Sequence, residues 1–241
     1  MSIARATARV LRQQLRAHVA WLPLGNNFDL GDFGVFSGGV FVRLGNVVNL
    51  GVKFERIRGN DTSFEFRSAG VQETRLSGGI AVGAFANGDD DASLRVSFAE
   101  EDSLLIRCKT LQVSEISELL PVAAALRNHP QWRMRYRVIH RLWTAVDGTF
   151  LSSRGSDANI EFTGAVKALQ ALQAGQADSS VGVAARSNIG LDLVGQTGPL
   201  ALGLFRVRVV DGSPALLDFA TTDHPILELD EPGNTDPDDD V

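Results

Sequence analysis

Residues 33–68 read FGVFSGGVFVRLGNVVNLGVKFERIRGNDTSFEFRS. Valine, isoleucine and phenylalanine gather there in short runs, and glycine, asparagine, serine and aspartate separate the runs. Segments 33–36, 39–43, 47–57 and 62–68 therefore read as strands, with turns at Ser37-Gly38-Gly39 and Arg58-Gly59-Asn60-Asp61. Turns this tight bring each strand back beside the one before it, so the pairing they imply is antiparallel.

The pattern extends through 72–85, 92–98 and 104–109, across the turn Ala86-Asn87-Gly88-Asp89 and the acidic turn Glu100-Glu101-Asp102. Residues 113–128 read as a helix with Ser114 as N-cap and Glu115 and Glu118 in its first turns. Pro121 either kinks that helix or marks its true first turn, because it lacks the N–H that a helix interior needs. Segment 133–146 is the longest strand candidate. Strands 149–154 and 159–163, a short helix 166–173, and strands 181–187, 189–194 and 200–210 complete the series. No regular βαβ alternation runs through it. The fold class is therefore α+β: a twisted, mainly antiparallel β-sheet with an N-terminal amphipathic helix and one or two further helices. No repeat of 20 to 50 residues is present. Residues 1–210 read as one α+β domain and 211–241 as an acidic tail, in which 215–229 is apolar enough to dock and 230–241 is expected to be disordered.

The N-terminal helix is expected over 2–20. Ile3, Val10, Leu11, Leu15 and Val19 recur at helical spacing, while Arg5, Arg9, Arg12 and Arg16 step by four, three and four and fall within about 60° of one another on the opposite arc. The chain carries 23 basic and 29 acidic residues for a net charge of -6. Ten of the acids lie beyond residue 210, where no base occurs. Subtracting those ten from 29 leaves 19 acids against 23 bases in residues 1–210, a body of +4 beside a tail of -10. Such a split points to an anionic partner for the body or to contact between the tail and the body.

Several chemistries lack their parts. There is no G-x-S-x-G elbow, no H-E-x-x-H, no C-x-x-C and no P-loop, and no cofactor is implied. The single cysteine, Cys108, cannot form an internal disulfide, and a reducing, cytoplasmic location is expected. Arginines interrupt any secretory h-region in the first twenty residues, and no run of about 18 apolar residues occurs. Cys108 is in phase with Leu104 and Ile106 and reads as a small buried hydrophobe. His140 shares a strand face with Tyr136, Val138 and Leu142 and reads as a core histidine. Asp89, Asp90 and Asp91 lack the spacing of a calcium loop and read as a solvated turn.

Strand 133–146 has two faces by alternation. Arg133, Arg135, Arg137, Arg141 and Trp143 fall on one, and Met134, Tyr136, Val138, His140 and Leu142 on the other. The basic face is either a phosphate-binding surface for anionic lipid or nucleic acid, or a sheet cover whose guanidinium groups pair with Glu100, Glu101 or the tail. A pI near 5.2 argues against nucleic acid. The arginine stripe of the first helix has the same two readings, lipid contact or plain solvation.

This order of elements resembles the pore-forming domain of gasdermins, including shortened bacterial ones. The features concerned are the basic amphipathic first helix, the apolar Trp21-Leu22-Pro23-Leu24 segment, the strand meander, the helix near 113–128, the long strand 136–145 and the terminal strand 200–210, together most of residues 3–210. The resemblance implies a membrane-permeabilising effector held as an autoinhibited monomer in the cytoplasm. Proteolytic removal of its C-terminal segment would free a basic domain that moves to the inner membrane, binds anionic lipid and oligomerises. It implies lipid contacts at Arg5, Arg9, Arg12, Arg16, Trp21 and Leu22, and inserting β-hairpins at 74–98 and 159–194. No cysteine near the N-terminus is present for lipid attachment, unlike in bacterial members, so that step does not carry over. Two other readings stand beside this one: a non-enzymatic binding or structural module of bacterial or phage origin, and a hydrolase with a carboxylate site assembled across strands from Asp32, Glu65, Glu73 or Glu161.

Overall fold

The computed structural model describes residues 3–77, 80–81, 93–163, 183–208 and 226–230. The chain begins with helix α1 (Ile3–Leu15), which buries Ala6, Thr7, Val10 and Leu11 along one side. Full burial of Leu11 alone contributes about 2 kcal/mol by area. The helix stops before Arg16, whose φ of 50° is left-handed. Strand β1 (His18–Val19) follows, then the hairpin of β2 (Asp32–Ser37) and β3 (Val40–Asn46). A Cβ on Gly34 would run into the Val42 carbonyl oxygen, so only glycine permits the bulge between Phe33 and Gly34.

Three long strands form the spine: β9 (Leu104–Ile116), β10 (Arg137–Ser153) and β13 (Ile189–Arg208). Strand β10 pairs with β13 along one edge. On the other it pairs first with β2 at Arg137 and Val138 and then with β9 from Arg141 to Ser152. The far edge of β9 holds β4 (Arg56–Arg58) and β5 (Thr62–Arg67). The far edge of β13 holds β1 and β14 (Ile226–Asp230), which completes a nine-stranded sheet. A second, five-stranded sheet consists of β6 (Val71–Ser77), β7 (Ile80–Ala81), β8 (Ser93–Phe98), β11 (Ala158–Thr163) and β12 (Val183–Ser187) in the order β12-β11-β8-β6-β7. All described pairings are antiparallel, and one further helix, α2 (Leu119–Arg127), is present among the described residues. The architecture is the α+β class read from the sequence.

Alternation along β9 assigns the cores. Leu104, Ile106 and Cys108 join the cluster that contains Ala6, Val10 and Leu11 of α1 with Trp143 and Phe150. Leu105, pointing the other way, joins Leu94, Val96, Phe98, Ile160 and Phe162 of the second sheet. A third cluster, around Leu30, Trp132, Ile139 and Phe205, packs α2 and the β2–β3 hairpin on the other end of the spine.

Several boundaries differ from the sequence reading. Ser114 caps no helix; it lies in β9, opposite Leu142 and Arg58. Helix α2 starts at Leu119 and carries Pro121 in its first turn, where the missing N–H costs nothing. Strand β10 starts at Arg137, after a turn in which the Tyr136 amide donates to the Arg133 carbonyl. Segments 133–146 and 149–154 are thus one strand shortened at its front, and 189–194 and 200–210 are likewise one, β13. Segment 47–57 is a 3₁₀ turn, Val47–Leu50, followed by the short β4. The expected helix 166–173, the turn Asp89 to Asp91 and segment 215–219 lie outside the described residues.

Candidate functional site

The arginines of α1 face outward because its apolar arc is fully used against the spine. Arg5, Arg9, Arg12 and Arg16 are exposed, and none makes an ion pair among the described residues. Arg5, Arg9 and Arg12 line a groove of about 520 Å³, whose opposite wall is Gly38, Gly39 and Val40 at the tip of the β2–β3 hairpin. Trp21 packs part-buried against the α1 core, and Leu22 beside it is 37% exposed.

The five residues expected to form a basic face on 133–146 do not share one. Arg133 and Arg135 are exposed in the turn before β10, where Arg133 donates to the carbonyls of Pro130 and Trp132. Arg137 is only 3% exposed and lies over the Phe36 ring at 5.2 Å. Arg141 pairs with Glu115 at 2.8 Å and stacks on Trp143, which is itself buried in the α1 cluster. A strand packed on both faces cannot keep an exposed side, and a bulge at His140 breaks the simple alternation.

The second sheet brings together two segments far apart in sequence. Strands β6 and β8 are joined through 78–92, and β11 and β12 through 164–182. The inner strands β8 and β11 pair over six positions, from Ala158 opposite Phe98 to Thr163 opposite Ser93. Leu94, Val96, Phe98, Ala158, Ile160 and Phe162 face inward. On the other face Glu161 accepts from Ser93 at 2.8 Å and from Arg95 at 2.9 Å; the hydrogen bond from Arg95, then that from Ser93, lowers the Glu161 pKa. These two inner strands are apolar on one side and polar on the other, whereas β6 places Glu73 on the same side as Val71, opposite Val96.

One ion cluster ties this sheet to the spine. Arg107 of β9 is 8% exposed and donates to Glu65 of β5 at 2.6 Å, while its Nη2 lies 3.1 Å from Oε1 of Glu73 in β6. Burial opposes the Arg107 charge, but the hydrogen bond to Glu65 and the attraction of Glu73 outweigh it and raise its pKa; the same hydrogen bond lowers that of Glu65. Of the four carboxylates considered for a hydrolytic site, Glu65 and Glu73 therefore converge on a guanidinium. Glu161 is engaged by Arg95. Asp32 is buried elsewhere, held by Arg43 at 3.0 Å, Asn46 and the Asp29 amide. The structure does not bring the four together.

Cys108 is buried, and loss of solvation pushes its thiol up to about 11. Among the described residues no group of three or more His, Cys, Asp or Glu is placed to hold a metal ion, and no helix is long and apolar enough to cross a membrane. Arg107 and Arg206 were not singled out in the sequence; the only local signal is a charge inside an apolar run, as in Leu105-Ile106-Arg107-Cys108.

Strands β1 and β14 meet on one edge. Because β10 occupies the other side of β13, β1 and β14 lie end to end along the free side, His18 opposite Leu202 and Asp230 opposite Leu204. Two residues of strand separate them, about 7 Å. Asp230 thus lies close to His18, just after α1. No family model, curated protein or solved structure matches this chain.

Proposed function

We propose that the protein permeabilises membranes, in the manner of the gasdermin pore-forming domain its element order resembles, and is restrained by its acidic C-terminal segment. The observation that carries this reading is the second sheet. Its two inner strands, β8 and β11, lie side by side and are each apolar on one face and polar on the other, which is the alternation a membrane-spanning strand requires. Spans 71–98 and 158–187 would each supply two arms of about 13 residues around a short turn, longer than the 9 to 11 residues needed to cross a bilayer.

The approach to lipid follows from charge. Each exposed arginine of α1 adds about 1 kcal/mol near an anionic surface. The -10 carried by residues 211–241 opposes that attraction while the segment stays attached, and its loss leaves a body of +4. A cleavage between β13 and β14 followed by departure of the acidic fragment is then the activating event, and a homo-oligomer the active form.

The test is release of an encapsulated dye from vesicles containing phosphatidylglycerol, using full chain with a specific protease site placed within 211–222. Uncut protein is expected to be inert, and cut protein to release dye from anionic but not zwitterionic vesicles. Cut protein that leaves anionic vesicles intact removes the reading and leaves a binding or structural module.

A further inference from the structure

Helix α1 concentrates charge without balancing it. Arg5, Arg9 and Arg12 recur at i, i+4 and i+7, so they share one side of the helix over about 10 Å of its length. Like charges at that spacing repel, and Arg5 lies in the first turn, which holds no acid to offset the positive end of the helix dipole. Four other exposed arginines are each compensated: Arg43 by Asp32, Arg56 by Asp29, Arg58 by Asp61 and Arg95 by Glu161, at 2.8 to 3.0 Å. The three on α1 make no ion pair among the described residues. A helix that breaks two local rules at one place has the pattern expected of a functional site.

The groove gives those charges a geometry. Its remaining lining is Ala4, Ala8 and Val19 with the Gly38-Gly39 turn and Val40, so every charge in it is positive. A Cβ placed on Gly38 or Gly39 would meet no atom within 4 Å, so the turn presents bare backbone and leaves the space beside it open. A volume of about 520 Å³ is that of a small-molecule site. Guanidinium groups match phosphate oxygens two at a time. We infer that the groove between α1 and the β2–β3 turn is a binding site for a soluble, multiply phosphorylated anion, held by Arg5, Arg9 and Arg12. A compact anion reaches between two walls, whereas a bilayer surface meets only what protrudes. The inference goes beyond the proposed pore, since the site is complete in the uncut chain and needs no membrane.

The experiment is calorimetric titration of uncut full-length protein with sodium tripolyphosphate at physiological salt, where screening over about 8 Å suppresses diffuse attraction. Saturation at one anion per chain is expected. Arg9→Gln and Arg12→Gln should each weaken binding at least about tenfold, the scale of a lost charge-assisted hydrogen bond. Val40→Phe, which narrows the groove without changing its charge, should weaken it as well. Arg95→Gln removes the same charge from the second sheet, which packs on the opposite face of the spine from α1, and should leave affinity within about twofold. No saturable binding, Val40→Phe that titrates like the unaltered protein, or equal losses in Arg9→Gln and Arg95→Gln overturns the inference. So does sedimentation of uncut protein with phosphatidic acid vesicles when tripolyphosphate does not bind, which assigns the arginines to a lipid headgroup. Arg9 and Arg12 are exposed, so their variants keep the fold, and a cut protein that leaves vesicles intact would not touch the result.

Discussion

His140 packs edge-on against Phe205, ring centroids 6.1 Å apart, and a Cβ on Gly203 would come within 3.2 Å of its Nε2. Burial, reinforced by the Arg141 charge and only partly offset by Glu115, lowers its pKa to about 4. In the unfolded chain the ring titrates near 6.5. The native state therefore binds fewer protons than the unfolded one between these values, and stability present above pH 6.5 is lost as pH falls toward 4. The loss amounts to at most about 3 kcal/mol. Urea midpoints at pH 7, 6 and 5 should decline for the native protein and flatten for His140→Gln. Equal slopes in the two would mean that the ring stays solvated. The core placement of His140 and Cys108 was legible because each alternates in phase with neighbouring apolar residues. The partners of Arg107 were not, since Glu65 and Glu73 reach it from strands 42 and 34 residues away in sequence and no local pattern records such a meeting.

Helix α1 separates stability from surface charge. Leu11 is fully buried and Arg9 and Arg12 are exposed, one turn apart on the groove wall. Leu11→Ala should cost about 2 to 5 kcal/mol in a thermal or urea melt. Arg9→Gln with Arg12→Gln should shift the melt by under about 0.5 kcal/mol each, yet weaken partition of the cut protein onto anionic vesicles about fivefold per residue. Partition unchanged by the double variant would mean that the stripe serves solvation alone. This helix was legible because its 3.6-residue period lies within one segment. The strand boundaries were less so. Ser114 followed by glutamate carries an N-cap signature, but pairing with β10 and β4 on both sides holds the segment extended, which is tertiary context overriding propensity. The joins through Gly148 in β10 and Pro199 in β13 are likewise decided by partners: the Pro199 carbonyl accepts from the Leu24 amide, and its absent N–H falls at a register irregularity.

At the scale of the molecule, an antiparallel α+β fold followed from turn spacing alone, whereas the division into two sheets did not, because it depends on β8 finding β11 rather than continuing the first meander. That division sets the main demand of the pore reading: the second sheet must part from the spine before its strands meet lipid. Among the described residues the ion pair of Arg186 in β12 with Asp192 in β13, at 2.7 Å, holds it there, and so do two further contacts. One is the cluster of Leu105 and Leu151 against Leu94, Val96, Phe98 and Ile160. The other is the clasp of Arg107 on Glu73, in which Glu73 alone comes from the second sheet. Glu73→Gln removes one negative charge from a nearly buried guanidinium and should lower stability by about 1 to 3 kcal/mol. Glu65→Gln, on a side chain 47% exposed and within the spine sheet, should cost less than about 1 kcal/mol. If parting of the sheets limits insertion, Glu73→Gln should also speed dye release by cut protein several-fold while Glu65→Gln leaves the rate near that of the unaltered chain. A Glu73→Gln variant that is less stable but no faster would show that insertion does not proceed through separation of the two sheets, and the hairpins would then have to act while still attached to the spine.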